Sequence, residues 1–277
     1  MIYFIGDSFT WGQGLHLEKW SADGITNKYM ADHMPDNNFP QECLSYDDHK
    51  IRKELHFPNL VAKHFDRDYV TDWHNGGTNY TALRFLTLVT GSPIQDLIVF
   101  QFTSPTRIHY PIIPPPTPEG FPDNCQYRDD FPSELKTAID DEFKHLNVKE
   151  YIQKITKGDE TKYEVYKLAY EQAYLVNHLA PHNSNNGITW IGFGWWPETG
   201  HILKEYFPQN YVPLYYKGKE HSGFESLLDL DNLKLKNLLK GCPDEHLSSI
   251  GNQVIAESII QKIKKDNLFE NNRVKQK

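Results

Sequence analysis

Short apolar runs rich in β-branched and aromatic residues recur along this chain with helical stretches between them, and that alternation narrows the fold more than any other feature. The runs are residues 2–5, 69–73, 97–102, 188–193 and, more weakly patterned, 211–216. Between them, apolar residues return at helical spacing: Leu60, Val61, His64 and Phe65; Leu83, Leu86 and Leu88; and Tyr166, Ala169, Tyr170, Ala173, Tyr174 and Val176 within 163–179. Near the end, Ile250, Val254, Ile255, Ile259 and Ile263 repeat in the same way after Ser248 and Ser249, either of which suits an N-cap. Strands alternating with helices imply an α/β fold with a central parallel sheet of about five strands, covered by helices on both faces. At 277 residues, one such domain with large insertions accounts for the whole chain.

Two segments, 20–57 and 104–150, are polar and irregular and read as those insertions. The second contains "YPIIPPPTPEGFPDN" (110–124), whose proline density favours extended polyproline structure. Both follow strand ends, so they are expected to decorate the carboxyl edge of the sheet, as lids over a substrate or as surfaces for a protein partner. The charged tail from Lys262 is expected to fray. No internal repeat is present.

A net charge of −8 argues against a phosphate-backbone binder, since nucleic-acid proteins need a basic face to release counterions. No apolar run approaches the roughly 18 residues that span a bilayer. The first strand starts at the second residue, leaving no room for a signal peptide, so a soluble, cytoplasmic protein is the default expectation. Three widely spaced cysteines, Cys43, Cys125 and Cys242, indicate neither a disulfide framework nor a zinc knuckle.

The first run ends in "GDS", which places Ser8 where a parallel strand hands over to a loop or helix. A serine hydroxyl is a poor nucleophile at neutral pH unless a base and a group that orients the base accompany it. "GCPDEHLSSIGN" supplies both: Asp244 stands two residues ahead of His246, in a loop directly before the last helix. Each signal alone is ordinary, because Asp and Ser after a strand commonly cap a helix. Together, at opposite ends of an alternating β/α chain, they make a candidate Ser-His-Asp constellation.

"FIGDSFTWG" and "DEHLSSIGNQVIA" resemble the first and last blocks of the SGNH hydrolases, the GDSL-type esterases and lipases. "NGGTNYTALR" is similar to the family's second block, and "DLIVFQFTSPTR" occupies the place of the third. The resemblance implies a flavodoxin-like three-layer fold, Ser8 as nucleophile, His246 as general base and acid, and Asp244 as its orienter. It also implies an oxyanion hole built from the backbone N–H groups of Ser8 and Gly76, with Gly77 as the alternative, and no cofactor. The family's third block normally adds an Asn side chain to the hole. Here that position is Pro105, which cannot donate. A Thr-Ser-Pro third block with a Thr-Asn second block resembles phage-encoded members, for which a viral particle is an alternative setting. Asn79 is the first expectation for the missing donor and Thr103 the second.

Trp195 and Trp196 are expected at the same edge, where an indole can stack on a sugar or line an acyl pocket, or else sit in the core. Arg107 is a candidate for binding an anionic group, or for pairing with a structural carboxylate. No His-x-x-x-His or Gly-Asp-x-His pattern offers a metal ligand set. The expected activity is hydrolysis of an ester, preferably an O-acyl group on a carbohydrate. The alternative is a degraded esterase-like scaffold used for protein binding or assembly.

Overall fold

The computed structural model describes residues 1–12, 14–22, 46–71, 78, 79, 82, 83, 86, 97–107, 133–180, 190–228, 232–239 and 245–269. The strands are β1 (Ile2–Ile5), β2 (Tyr69–Thr71), β3 (Leu97–Phe102), β4 (Trp190–Gly194), β5 (Leu214–Tyr216) and β6 (Lys219–His221). The helices are α1 (Ser8–Trp11), α2 (His16–Ala22), α3 (Tyr46–Leu55), α4 (Phe57–His64), α5 (Ser133–His145) and α6 (Val148–Thr156). They continue as α7 (Glu160–Leu179), α8 (Pro197–Tyr206), α9 (Glu225–Leu228), α10 (Leu235–Leu238) and α11 (Ser249–Lys265).

The main sheet is parallel throughout, in the order β2-β1-β3-β4. Successive strand residues feed opposite cores. Ile2, Phe4, Leu97, Val99, Ile191 and Phe193 pack with Phe57 and Val61 of α4 and with Val254, Ile255 and Ile259 of α11. Ile5, Ile98, Phe100, Phe102 and Trp190 pack with Ile139, Ile152, Ala169, Tyr170, Ile202 and Leu203 of α5 to α8. Helix starts follow local chemistry: Asp159 caps α7 by accepting from Lys162 N, and Pro58 and Pro197 sit in the first turns of α4 and α8.

Among the described residues the sheet has four full strands. Residues 211–216 were expected to provide a fifth, but Gly192 makes a single parallel bridge to Tyr211. Val212 N donates to Gly192 O, but the next carbonyl along β4, Gly194 O, accepts from Phe224 N at 3.1 Å, and the chain turns instead into the antiparallel β5–β6 hairpin. Lys217 and Gly218, at φ 48° and 77°, give the hairpin a turn with two left-handed residues.

The two insertions are less irregular than expected, since α3 lies within 20–57 and α5 within 104–150. The proline-rich 110–124 lies outside the described residues, as does Leu88. Of the tail expected to fray from Lys262, the stretch to Phe269 is packed, and residues 270–277 lie outside the described residues. α11 runs to Lys265, Lys262 is 9% exposed and pairs with Asp266 at 2.7 Å, and Phe269 packs edge-on against Phe65. No helix among the described residues is long and apolar enough to cross a membrane.

Because β1 connects to β2 on one side and the chain then crosses to β3 on the other, strand order reverses between β1 and β3. In open α/β sheets the carboxyl ends of such strands frame a crevice. Ser8 follows β1 there, and Thr103 to Arg107 follow β3.

Candidate active site

Gly6 ends β1 where a side chain has no room: an added Cβ would lie 2.6 Å from Gln101 Oε1 and would overlap the Thr10 hydroxyl. Asp7 is the N-cap of α1, its Oδ1 accepting from Phe9 N at 3.0 Å, so the helix-capping role of this aspartate holds. Its other oxygen accepts from Arg107 Nη1 at 2.9 Å. Gln101 Oε1 accepts from Asp7 N at 3.3 Å and from Thr10 Oγ1 at 2.8 Å. The turn on which the Ser8 backbone enters α1 is thus tied to β3 from two directions. Gln101 Nε2 is buried without a partner among the described residues.

The end of β3 is held in turn by Asn79. Its Oδ1 accepts from Thr103 N at 2.8 Å, and its Nδ2 donates to Thr103 O at 3.2 Å and Gln172 Oε1 at 2.7 Å. Gln172 Nε2 donates to Pro105 O at 3.0 Å. Both amide hydrogens of Asn79 are therefore engaged, one by the Thr103 carbonyl and one by the Gln172 side chain, which corrects the expectation that this amide turns toward an oxyanion. Thr103 Oγ1 accepts from Arg107 Nη1 at 3.3 Å, and its own hydrogen is not committed to any of these bonds. One guanidinium nitrogen bridges the Thr103 hydroxyl and the carboxylate next to Ser8. Of the two readings of Arg107, pairing with a structural carboxylate is the one observed.

His246 arrives on a loop strapped to residues 233–235. Leu235 N donates to His246 O and Ser248 N to Leu233 O, both at 2.9 Å, around an antiparallel bridge between Lys234 and Leu247. Glu245 pairs with Lys234 and Lys236; the Lys236 hydrogen bond, with both lysine charges, holds its carboxyl below the usual glutamate range. Ser248 is the N-cap of α11, accepting from Gly251 N. The start of that helix is also bound to the N-terminal half of the chain: Ser249 N donates to Glu18 Oε1 at 2.6 Å, and Phe57 N to Asn252 Oδ1 at 2.9 Å.

These ties bring the His246 ring to 4.5 Å, centroid to centroid, from the ring of Phe9, the residue after Ser8. Phe9 stacks on Trp195 at 3.6 Å, and Trp195 on Phe224 at 5.0 Å. Trp195 is 7% exposed, so it is a core residue beneath this edge and not an open platform for a sugar. Trp196 is half-buried at the N-cap of α8 and packs against the same core. Asp244, Gly76 and Gly77 lie outside the described residues.

Gln101, Gln172 and Glu18 escaped sequence reading. Gln101 alone left a signal, a polar residue inside the apolar run "LIVFQF". Among the described residues no group of three His, Cys, Asp or Glu side chains is placed to hold a metal ion. Compared with protein-family models, curated proteins and solved structures, the chain finds no match in any of the three.

Proposed function

We propose that the protein is a serine esterase of the SGNH type. Ser8 Oγ attacks the ester carbonyl while His246 takes its proton; His246 then protonates the departing alcohol, and water, deprotonated by the same imidazole, releases the acid from the acyl-enzyme. Asp244 orients the imidazole. The observation that carries this reading is the approach of the His246 and Phe9 rings, which joins segments 237 positions apart in sequence, at the strand ends where order reverses. Thr103 is the side-chain oxyanion donor, beside the backbone N–H groups of Ser8 and Gly76. The favoured substrate is an O-acylated carbohydrate, in keeping with insertions that are polar and aromatic and not continuously aliphatic.

Hydrolysis of short-chain aryl esters and acetylated sugars tests the proposal. His246→Ala should lower kcat by about 10⁴-fold or more while the protein stays folded. A folded wild type with no turnover on either substrate class favours the scaffold alternative, to which Pro105 lends support.

A further inference from the structure

Tyr163, Tyr166, Tyr170 and Tyr174 form a stripe along α7, and two of them lead away from the candidate active site. Tyr170 and Tyr174 line a cavity of about 330 Å³ together with Tyr206, Phe207, Asn177 and Glu142. It lies beside the start of β4, where Asn177 Oδ1 accepts from Trp190 Nε1 and Asn210 Nδ2 donates to Trp190 O. This is the amino edge of the sheet, whereas Ser8 lies past its carboxyl edge.

The aromatic walls stand at steep angles: Tyr206 meets Tyr170 edge-on at 5.4 Å and 83°, and Phe207 is tilted against Tyr170 at 6.1 Å. Tyr170 is 0% exposed, yet its hydroxyl has no partner among the described residues. A phenylalanine would fill the same volume without leaving a buried hydroxyl unsatisfied. Burial and the Glu142 charge push the Tyr170 and Tyr174 phenols up, and burial pushes Tyr206 up to about 12. All three therefore remain neutral phenols whose oxygens can accept hydrogen bonds. Of the ten lining residues only Glu142 is charged, and no lysine, arginine or histidine is among them.

We propose that this cavity is a binding site for an alkylammonium cation. Glu142 supplies the counter-charge and accepts an N–H, and the half-buried rings of Tyr174 and Tyr206 supply cation–π attraction. The cation is either a free polyamine or the end of a lysine side chain. The site does not depend on the esterase reading.

Calorimetric titration of the full chain with spermidine and with Nα-acetyl-lysine methylamide tests it, with methyl glucoside as the neutral control. Saturable one-to-one binding of an ammonium probe, and none of the glucoside, is expected. Tighter binding of spermidine identifies a polyamine site, and tighter binding of the lysine derivative a side-chain site. Glu142→Gln should weaken binding roughly tenfold or more, and Tyr206→Leu should weaken it several-fold. Glu142 and Tyr206 are both only half-buried, so unchanged thermal midpoints separate loss of binding from loss of fold. Absence of saturable binding, equal binding of the glucoside, or wild-type affinity in Glu142→Gln overturns the proposal.

Discussion

Replacing Arg107 by alanine tests how the serine-bearing turn is held. The Asp7 side chain is 1% exposed and has two partners, Phe9 N and Arg107 Nη1, while the Arg107 side chain is 36% exposed. Removing the guanidinium leaves a buried carboxylate oxygen without its charge-assisted hydrogen bond, and such bonds contribute about 1.5–3 kcal/mol. Breaking a fully buried pair costs about 3–5 kcal/mol, but water reaches this one from the arginine side, which brings the expected loss to about 2 kcal/mol. For a domain of this size that is a fall in Tm of about 4–8 °C. Asp7→Asn should cost less, about 1 kcal/mol or below, because the amide oxygen keeps the Phe9 cap and the freed arginine turns to solvent. Arg107→Ala combined with Asp7→Asn should then be no less stable than Asp7→Asn by more than a few tenths of a kcal/mol, since the uncompensated charge is gone. Urea unfolding followed by tryptophan fluorescence measures all three. If Arg107→Ala costs no more than Asp7→Asn, or if the two losses simply add, the pair does not clamp the turn.

The two neighbours of the third block should separate by kinetics. Thr103→Val is expected to lower kcat about 10²- to 10³-fold with KM within a few-fold of wild type. Asn79→Ala instead strands the Thr103 N–H and the Gln172 amide, so about 2–3 kcal/mol of stability is lost in denaturant melts. Glu245 has a folded-state pKa below its ordinary 4.5, so its stabilisation is present above that value and lost as pH falls through the lowered one. Glu245→Gln should lower Tm at neutral pH, and the gap to wild type should close in acid below the usual glutamate value.

Periodicity located the parts of the fold that are buried on a regular repeat. β1 and β3 match their apolar runs, α7 and α11 match their helical stripes, and Ser248 caps α11 as one of two expected candidates. What escaped depends on single residues or on distant partners. Phe224 N takes the Gly194 carbonyl that a fifth strand would use, although "YVPLYY" reads as β-prone. α3 and α5 are polar enough to resemble loops, since each has a wide solvent face. In the site, the Asp7–Arg107 pair spans 100 positions and the Ser249–Glu18 bond 231, distances that no local pattern encodes. The sequence pattern points to Asn79 as an oxyanion donor, but its amide is bound to Thr103 and Gln172. Those partners lie 24 and 93 positions away, so this holding role is legible only in the packed structure.

Labelling of the native protein with a fluorophosphonate, read by intact mass and peptide mapping, tests the central claim most directly. Such a probe phosphonylates a serine only when a base removes its proton in place. The account predicts one adduct per chain, located on Ser8, and its loss in His246→Ala with the fold unchanged. A folded wild type that stays unlabelled, or an adduct on another residue that survives His246→Ala, would contradict it.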